Sequence, residues 1–461
     1  MKQKQIQHLY MRAGFGIGLN ALNNLKSMSK TKIINAMFSA SENPIPIQLD
    51  LSEFESVVQM NTTGRNNSDL KNTQELLKKS RIKIRDLNYT WIERLCTTDA
   101  ILNEKMTLFW ANVFVCRDNN ILHFQQYNNT LRKHALGNFK DFIKAIAKEP
   151  SMSKYLNNRQ NIKESPNENF ARELMELFTL GIGNYTEQDI KEAARAFTGW
   201  SFKPNGDFFL RKVKHDFEKK TFFGKSGHFD GDDVIDIILE QKQCARFICG
   251  KIYTYFVNPE IDAKRLEELT DYFYQDYNIK ALMHYIFSSD WFYEAKNVGV
   301  KIKSPMELLV GINTIISMSF VNKKQLFYLQ KMMGQVLLYP VNVAGWRGDK
   351  SWIDSNTLMF RMKLPSLLLN NAQINLKEKG EFEDTFTNYY KQKGKNRFFK
   401  VNSDWDAFNK QYGKLRPAEL KRLLLVASTD QDTEALVSNL LVRSNRDFCI
   451  QLMSLPEYQL C

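Results

Sequence analysis

Ser165-Pro166-Asn167-Glu168-Asn169-Phe170-Ala171-Arg172-Glu173-Leu174-Met175-Glu176-Leu177-Phe178-Thr179-Leu180-Gly181-Ile182-Gly183-Asn184-Tyr185-Thr186 reads as one short helix with explicit start and stop signals. Pro166 disfavours helix before it, Asn167 can cap the free N–H groups after it, and Gly181 with Gly183 lets the chain leave. At ~100° per residue, Phe170, Leu174, Leu177 and Phe178 share one side. Glu168, Arg172 and Glu176 form a stripe on the other, with Glu173 at its edge. Arg172 then sits four residues from a carboxylate in either direction. Such a stripe is either a ladder of i,i+4 ion pairs on a solvated face, or a carboxylate cluster facing a cleft, able to hold a cation, orient a sugar or phosphate, or move protons. Spacing alone favours the ladder, because structural ion pairs imitate sites.

Helical periodicity continues in both directions. Helices are predicted over 18 to 38, 69 to 87, 89 to 115, 119 to 136, 139 to 148, 167 to 180, 186 to 198, 231 to 256, 262 to 275, 279 to 289, 304 to 319, 324 to 337, 355 to 370, 417 to 427 and 432 to 454. Thr186 with Asp189 forms a capping box for the second signature helix, whose Ile190, Ala193, Ala194, Phe197 and Trp200 face one way. One short β-hairpin follows near 201 to 211, where Asn205-Gly206 lies between aromatic-bearing arms. It leads to His215-Asp216, so a pocket wall is expected there. The fold class is mainly α, one large helical body with that hairpin after the signature helices. Residues 41 to 70 read as a loop insertion and residues 372 to 404 as a basic, aromatic loop or insertion.

Further pieces in the same order place the chain among known sequences. They are His8-Leu-Tyr-Met-Arg-Ala-Gly-Phe-Gly16, Lys105-Met-Thr-Leu-Phe-Trp110, Arg132-Lys-His-Ala-Leu-Gly-Asn-Phe139, Glu192-Ala-Ala-Arg-Ala-Phe-Thr-Gly-Trp200, His215-Asp216 with Lys220-Thr-Phe-Phe-Gly224, Lys303-Ser-Pro-Met-Glu-Leu308, Asn342-Val-Ala-Gly-Trp346 with Trp352-Ile353, and Leu452-Met-Ser-Leu-Pro-Glu-Tyr-Gln459. With Asn167 to Thr186 they resemble a large bacterial family known as domain of unknown function 1800, over nearly the whole chain. The resemblance implies one family-type domain over 1–461 and supplies no reaction. It also implies that the matched polar residues are candidates. As catalytic groups these are Glu168, Glu173, Glu176, His134 and His215; as substrate-binding groups, Arg12, Arg172, Arg195, Asp216, Asn342 and Trp346. Each carries a plainer alternative. A lone histidine is more often a satisfied core or capping residue. Arg12 is either an anion contact or a surface partner for a carboxylate, and the loop at Asn342–Trp346 is either a ligand wall or a packed loop plugged by Trp346 and Trp352.

Carboxylates at 168, 173 and 176 suit a hard cation such as Mg²⁺ or Ca²⁺ better than zinc. The family commonly carries histidines in the segment that here reads Phe109-Trp110-Ala111-Asn112-Val113-Phe114. With Ala111 and Val113 in their place, no metal ligand is assigned.

Bulk properties narrow the classes. Against 51 acidic residues stand 64 basic ones, a net +13, which favours acidic partners such as anionic glycans or phosphorylated substrates. Basic runs at Lys78–Arg85 and Tyr389–Lys400 read as solvated faces outside the signature, so nucleic acid is not favoured. Six cysteines show neither a C-x-x-C pair nor regular spacing. The chain lacks a G-x-S-x-G elbow, a P-loop, an H-E-x-x-H and a dinucleotide fingerprint. No secretory leader or membrane span is read from the sequence, so it reads as cytoplasmic and soluble, with export left open because relatives often look secreted. The leading expectation is a hydrolase-like acid/base enzyme on an anionic or carbohydrate-like substrate. The rival is a non-catalytic helical binding or scaffold protein working with a separately encoded partner.

Overall fold

The computed structural model describes residues 1–54, 69–370, 399–440 and 442–461. Helices dominate them, so the mainly α class predicted from periodicity is the class observed. Most of the predicted insertions, including residues 55–68 and 372–398 with the aromatic basic run, lies outside the described residues. Contacts group the chain into two compact units, one of Met1–Ser29, Tyr293–Val336 and Arg347–Cys461, the other of Lys30–Phe292 and Leu337–Trp346.

In the first unit, helix Gln3–Ala13 buries Ile6, Leu9 and Ala13 and ties the Gln7 amide to the carbonyls of Arg422 and Leu423 at 3.1 and 2.7 Å. Helix Pro305–Ile315 begins in a capping box, with Glu307 N donating to Ser304 Oγ and Ser304 N to Glu307 Oε2. The matched piece Lys303–Leu308 is thus a helix start.

The second unit is built on the aromatic core of helix Ile101–Val113 and its neighbours. Trp110 and Phe114 stack at 5.6 Å, Phe139 and Phe142 close around them, and Trp110 Nε1 donates to Ala135 O at 3.0 Å. Phe178 of the signature packs edge-on to Phe114 at 5.5 Å, and Phe170 meets Phe197, just past the second signature helix, at 4.9 Å. The hairpin pairs Trp200–Phe202 with Phe208–Leu210 as expected. Its tip is held by helix Ile121–His134, where His123 Nε2 lies 3.0 Å from Pro204 O.

Several boundaries differ from the sequence reading. The expected helix over 18 to 38 is two, Leu19–Leu25 and Lys30–Ser39, and that over 231 to 256 is Gly231–Leu239 followed by Lys242–Phe256. In both cases the apolar period runs through a short break. Conversely, 69 to 87 and the first part of 89 to 115 join into Asp69–Thr97, with the break displaced to Thr98–Ala100 and the remainder forming Ile101–Val113. Two more strand pairs exist, Lys220–Phe222 with Lys225–Gly227 and Met318–Phe320 with Val401–Ser403. Three residues are too few for a period-two pattern to be read.

Candidate functional site

The signature stretch starts as predicted and then departs from an α-helix. Asn167 Oδ1 accepts from Asn169 N at 3.1 Å, and helix Asn169–Glu173 begins there. From Leu174 to Thr179 the backbone winds as a π-turn: Leu180 N donates to Met175 O, five residues back, at 2.8 Å, and Thr179 Oγ1 donates to Leu174 O at 2.6 Å. The wider turn rotates the side chains that it carries. Met175 enters the core with Phe170, Leu174 and Phe178, while Leu177 stays half-exposed.

The charged stripe also differs from the expected ladder. Arg172 Nη2 meets Glu168 Oε2 at 3.1 Å, the expected i,i+4 pair. Its other partner is Glu187 at the start of the next helix, gripped through both nitrogens at 2.9 and 2.8 Å, rather than Glu176. Glu187 holds the guanidinium firmly charged, and Arg172 pulls the Glu187 carboxyl below its ordinary value. Glu176, carried round by the π-turn, accepts from the Tyr185 hydroxyl at 3.0 Å. Burial and then the Glu176 bond raise that phenol to about 12.

Glu173 is left in a different condition. Its Oε2 is buried and has no hydrogen-bond partner. Burial first, then the neighbouring Glu176 charge, raises its pKa, with Arg172 opposing. A carboxyl in that position favours its proton. Tyr155, at the end of helix Pro150–Tyr155, lies within electrostatic reach of Glu173, and its hydroxyl is raised by burial first.

The second signature helix, Glu187–Ala196, has the predicted capping box and buries Ile190, Ala193, Ala194 and, just beyond its end, Phe197 and Trp200. Arg195 projects from it between Glu192 (2.9 Å) and Asp216 (2.8 Å). Burial pushes the Asp216 carboxyl up, but the Arg195 and Glu218 N–H bonds outweigh it and hold it low. His215, adjacent in sequence, has different partners. It is buried, donates from Nδ1 to Thr198 O at 2.8 Å, and packs edge-on to Phe217. His134 ends helix Ile121–His134 and stacks on Phe142 at 5.6 Å, with burial and Lys133 lowering its pKa. The structure therefore pairs Glu176 with Tyr185, leaves Glu173 Oε2 without a hydrogen-bond partner, ties Glu168 to Arg172 and Arg195 to Asp216, and gives His134 and His215 aromatic and backbone neighbours.

Asn342 and Trp346 belong to the segment Leu337–Trp346. Asn342 Oδ1 accepts from Ala344 N at 2.9 Å, closing the loop on itself. Trp346 is clasped through its backbone by Asn112, which accepts from its N–H at 2.7 Å and donates to its carbonyl at 3.0 Å. Gly345 takes φ +72°, and a Cβ there would stand 2.3 Å from Asn112 Oδ1. Trp346, Ala111, Trp91 and Asn128 line a cavity of about 10 Å³, the lower limit for one water. Ala111 and Val113 supply no ligand and Asn112 is occupied by the loop. Among the described residues, no three His, Cys, Asp or Glu side chains converge as metal ligands.

In the first unit, Arg12 is buried and donates from Nη2 to Asn297 O at 3.1 Å, leaving Nε and Nη1 without an acceptor.

Several of these groups escape a reading of the sequence. Tyr185 and Glu187 lie within or beside the quoted stretch, and their partners Glu176 and Arg172 are seen only in the folded chain. Asn112 is hidden between Ala111 and Val113. Glu149 is buried, accepts from Thr130 Oγ1 at 2.5 Å, and is raised by burial to about 7. His123 accepts at Nδ1 from the Lys154 ammonium (2.9 Å), which fixes its proton on Nε2 facing Pro204 O. Burial and Lys154 lower it to about 4.

No helix among the described residues is long and apolar enough to cross a membrane. No curated protein and no solved structure matches the chain. A family model described as Protein of unknown function (DUF1800) matches residues 8–460, and the chain belongs to that family.

Proposed function

We propose that the chain is an acid/base enzyme, hydrolase-like, whose proton-transfer pair is Glu173 and Glu176, acting on an anionic or carbohydrate-like substrate. The observation that carries this is the buried, unpartnered Oε2 of Glu173 beside a second carboxylate held by Tyr185. Burial and the Glu176 charge raise the Glu173 pKa, so Glu173 is the group suited to deliver a proton. Glu176, aligned by the Tyr185 hydroxyl, is suited to accept one. The π-turn that sets them supports the same reading, since π-bulges are frequent at functional sites. His134, His215, Arg12 and Asn342 stay in the proposal only as outer candidates, and Glu168, Arg172, Arg195 and Asp216 act by fixing the two signature helices.

Those fixed pairs also favour a second reading, a non-catalytic helical scaffold working with a separately encoded partner. One substitution separates the two. Glu173→Gln keeps size and removes the charge. Under the enzyme reading, a ligand found by screening anionic glycans and phosphoesters for thermal stabilisation loses its binding or turnover in the variant. The variant's own stability at neutral pH is expected to be equal or higher, because a raised pKa means the ionised form destabilises the fold as pH rises. If the variant instead unfolds readily and keeps the ligand's effect, Glu173 is a structural partner and the scaffold reading stands.

A further inference from the structure

Lys154, on helix Pro150–Tyr155, reaches between two side chains that each take one of its protons. His123 Nδ1 accepts at 2.9 Å, and Asp118 Oδ2 pairs with the same ammonium. Both acceptors are fixed by further bonds. Asp118 Oδ2 also accepts from Ser151 Oγ at 2.7 Å, and its Oδ1 accepts from Asn119 N and Asn120 N at 2.7 and 3.0 Å. The His123 ring is held on its far side by Pro204 O, 3.0 Å from Nε2, and lies edge-on to Phe202 at 5.3 Å. His123 is buried, whereas the Lys154 side chain is 28% exposed, against 7% for Asp118. Two of the three ammonium protons thus face fixed acceptors, and the third is left for solvent or a ligand.

Phe202 is also the platform for a second cation. Lys154 Nζ lies 5.9 Å from the ring centre and the Arg159 guanidinium 5.0 Å. Arg159 is exposed, and its carbonyl accepts from Arg211 Nη2 at 2.5 Å. Among the described residues, no carboxylate pairs with its guanidinium. Burial lowers the Lys154 pKa, with Asp118 opposing. Burial and then the Lys154 charge keep His123 unprotonated at Nδ1. That second cause vanishes when Lys154 gives up its proton, so the imidazole becomes a stronger base as the transfer proceeds.

The geometry points to Lys154 as a nucleophilic amine that condenses with the carbonyl of an aldehyde or ketone bearing an anionic group, with His123 as its proton acceptor and Arg159 as the anion contact. The ammonium gives a proton to His123 Nδ1, and rotation about Cε–Nζ turns the freed electron pair to the carbonyl carbon. The N–C bond forms, and the carbonyl oxygen becomes a hydroxyl by taking that proton from His123. A second proton passes from the nitrogen through His123 to this hydroxyl, which leaves as water when the C–O bond breaks. Ammonium and carbonyl give protonated imine and water, with no oxidant or reductant. The site shares no residue with the Glu173 and Glu176 pair and goes beyond the acid/base reading.

The test is labelling of the full chain with glyceraldehyde 3-phosphate and with glyceraldehyde, trapped by cyanoborohydride and located by peptide mapping. Lys264, an exposed lysine on helix Ala263–Tyr274, serves as the internal reference. The phosphate ester is expected to label Lys154 ahead of Lys264. His123→Gln keeps an acceptor for Lys154 and a donor for Pro204 O but cannot carry the proton. It is expected to slow labelling of Lys154 about tenfold or more, with Lys264 labelling and the thermal midpoint kept. Arg159→Gln is expected to remove the preference of Lys154, relative to Lys264, for the phosphate ester over glyceraldehyde. Lys154 labelled no faster than Lys264 in the native chain overturns the site, and so does equal labelling of Lys154 in His123→Gln. Should that variant not fold, the native comparison of the two lysines decides. A phosphate preference unchanged in Arg159→Gln overturns the anion contact.

Discussion

Two glutamates with raised pKa values lead to different consequences. Glu149 is fully enclosed, and its folded value of about 7 lies above the ordinary carboxyl value of 4.5. The folded chain then binds its proton more tightly than the unfolded chain between those limits. Stability from this group is present below pH 4.5 and is lost as pH rises through 7, a change on the order of 3 kcal/mol. Glu149→Gln keeps an oxygen for the Thr130 hydroxyl and removes the ionisation. Denaturant titrations at about pH 5 and about pH 8, on either side of the folded value, should show the variant gaining on the native chain at the higher pH. Equal pH slopes for both proteins would mean that Glu149 ionises without penalty. At Glu173 burial is only partial and a like charge contributes, and the acid/base proposal rests on that combination.

Among the elements, the two signature helices were legible because their caps are local: Asn167 and Thr186 each reach a backbone N–H two or three residues on. The hairpin was legible for the same reason, through Asn205-Gly206. The π-turn was not, since nothing in Leu174–Thr179 distinguishes five-residue from four-residue bonding, and the partners of Arg172 and Glu176 followed it out of reach. Helix Gln3–Ala13 was also missed. Its buried face mixes Ile6 and Leu9 with Gln7, His8 and Arg12, and periodicity counts only the apolar ones. The loop at Asn342–Trp346 was marked by its residues, but the clasp by Asn112 joins positions far apart in the chain. Gly345→Ala tests that clasp. A side chain at φ +72° is strained, and its Cβ would displace the Asn112 amide. The expected loss is about 2–4 kcal/mol in denaturant unfolding, and a loss below ~0.5 kcal/mol would show that the loop does not need the clasp.

Across the chain as a whole, the family match from 8 to 460 agrees with matched pieces that run from the first helix to the last turn. The first unit is assembled from three stretches of chain, so its N-terminal helix is core and not trimming. A chain beginning at residue 30 loses Ile6, Leu9 and Leu22 from that core and the Gln7 bonds to Arg422 and Leu423. Limited proteolysis is expected to cut it rapidly within residues 293–461, and native-like resistance there would contradict this packing.

The proposed chemistry turns on Glu173 holding a proton where Glu176 can work beside it. Carbon-13 NMR of the carboxyl groups in glutamate-labelled protein, with Glu173→Gln to identify the resonance by its loss, reports on that proton. The Glu173 signal is expected to titrate clearly above the ordinary value of 4.5 and to move downward when Glu176→Gln removes the neighbouring charge. A Glu173 signal titrating at or below the ordinary value, unmoved by that substitution, would contradict the assignment.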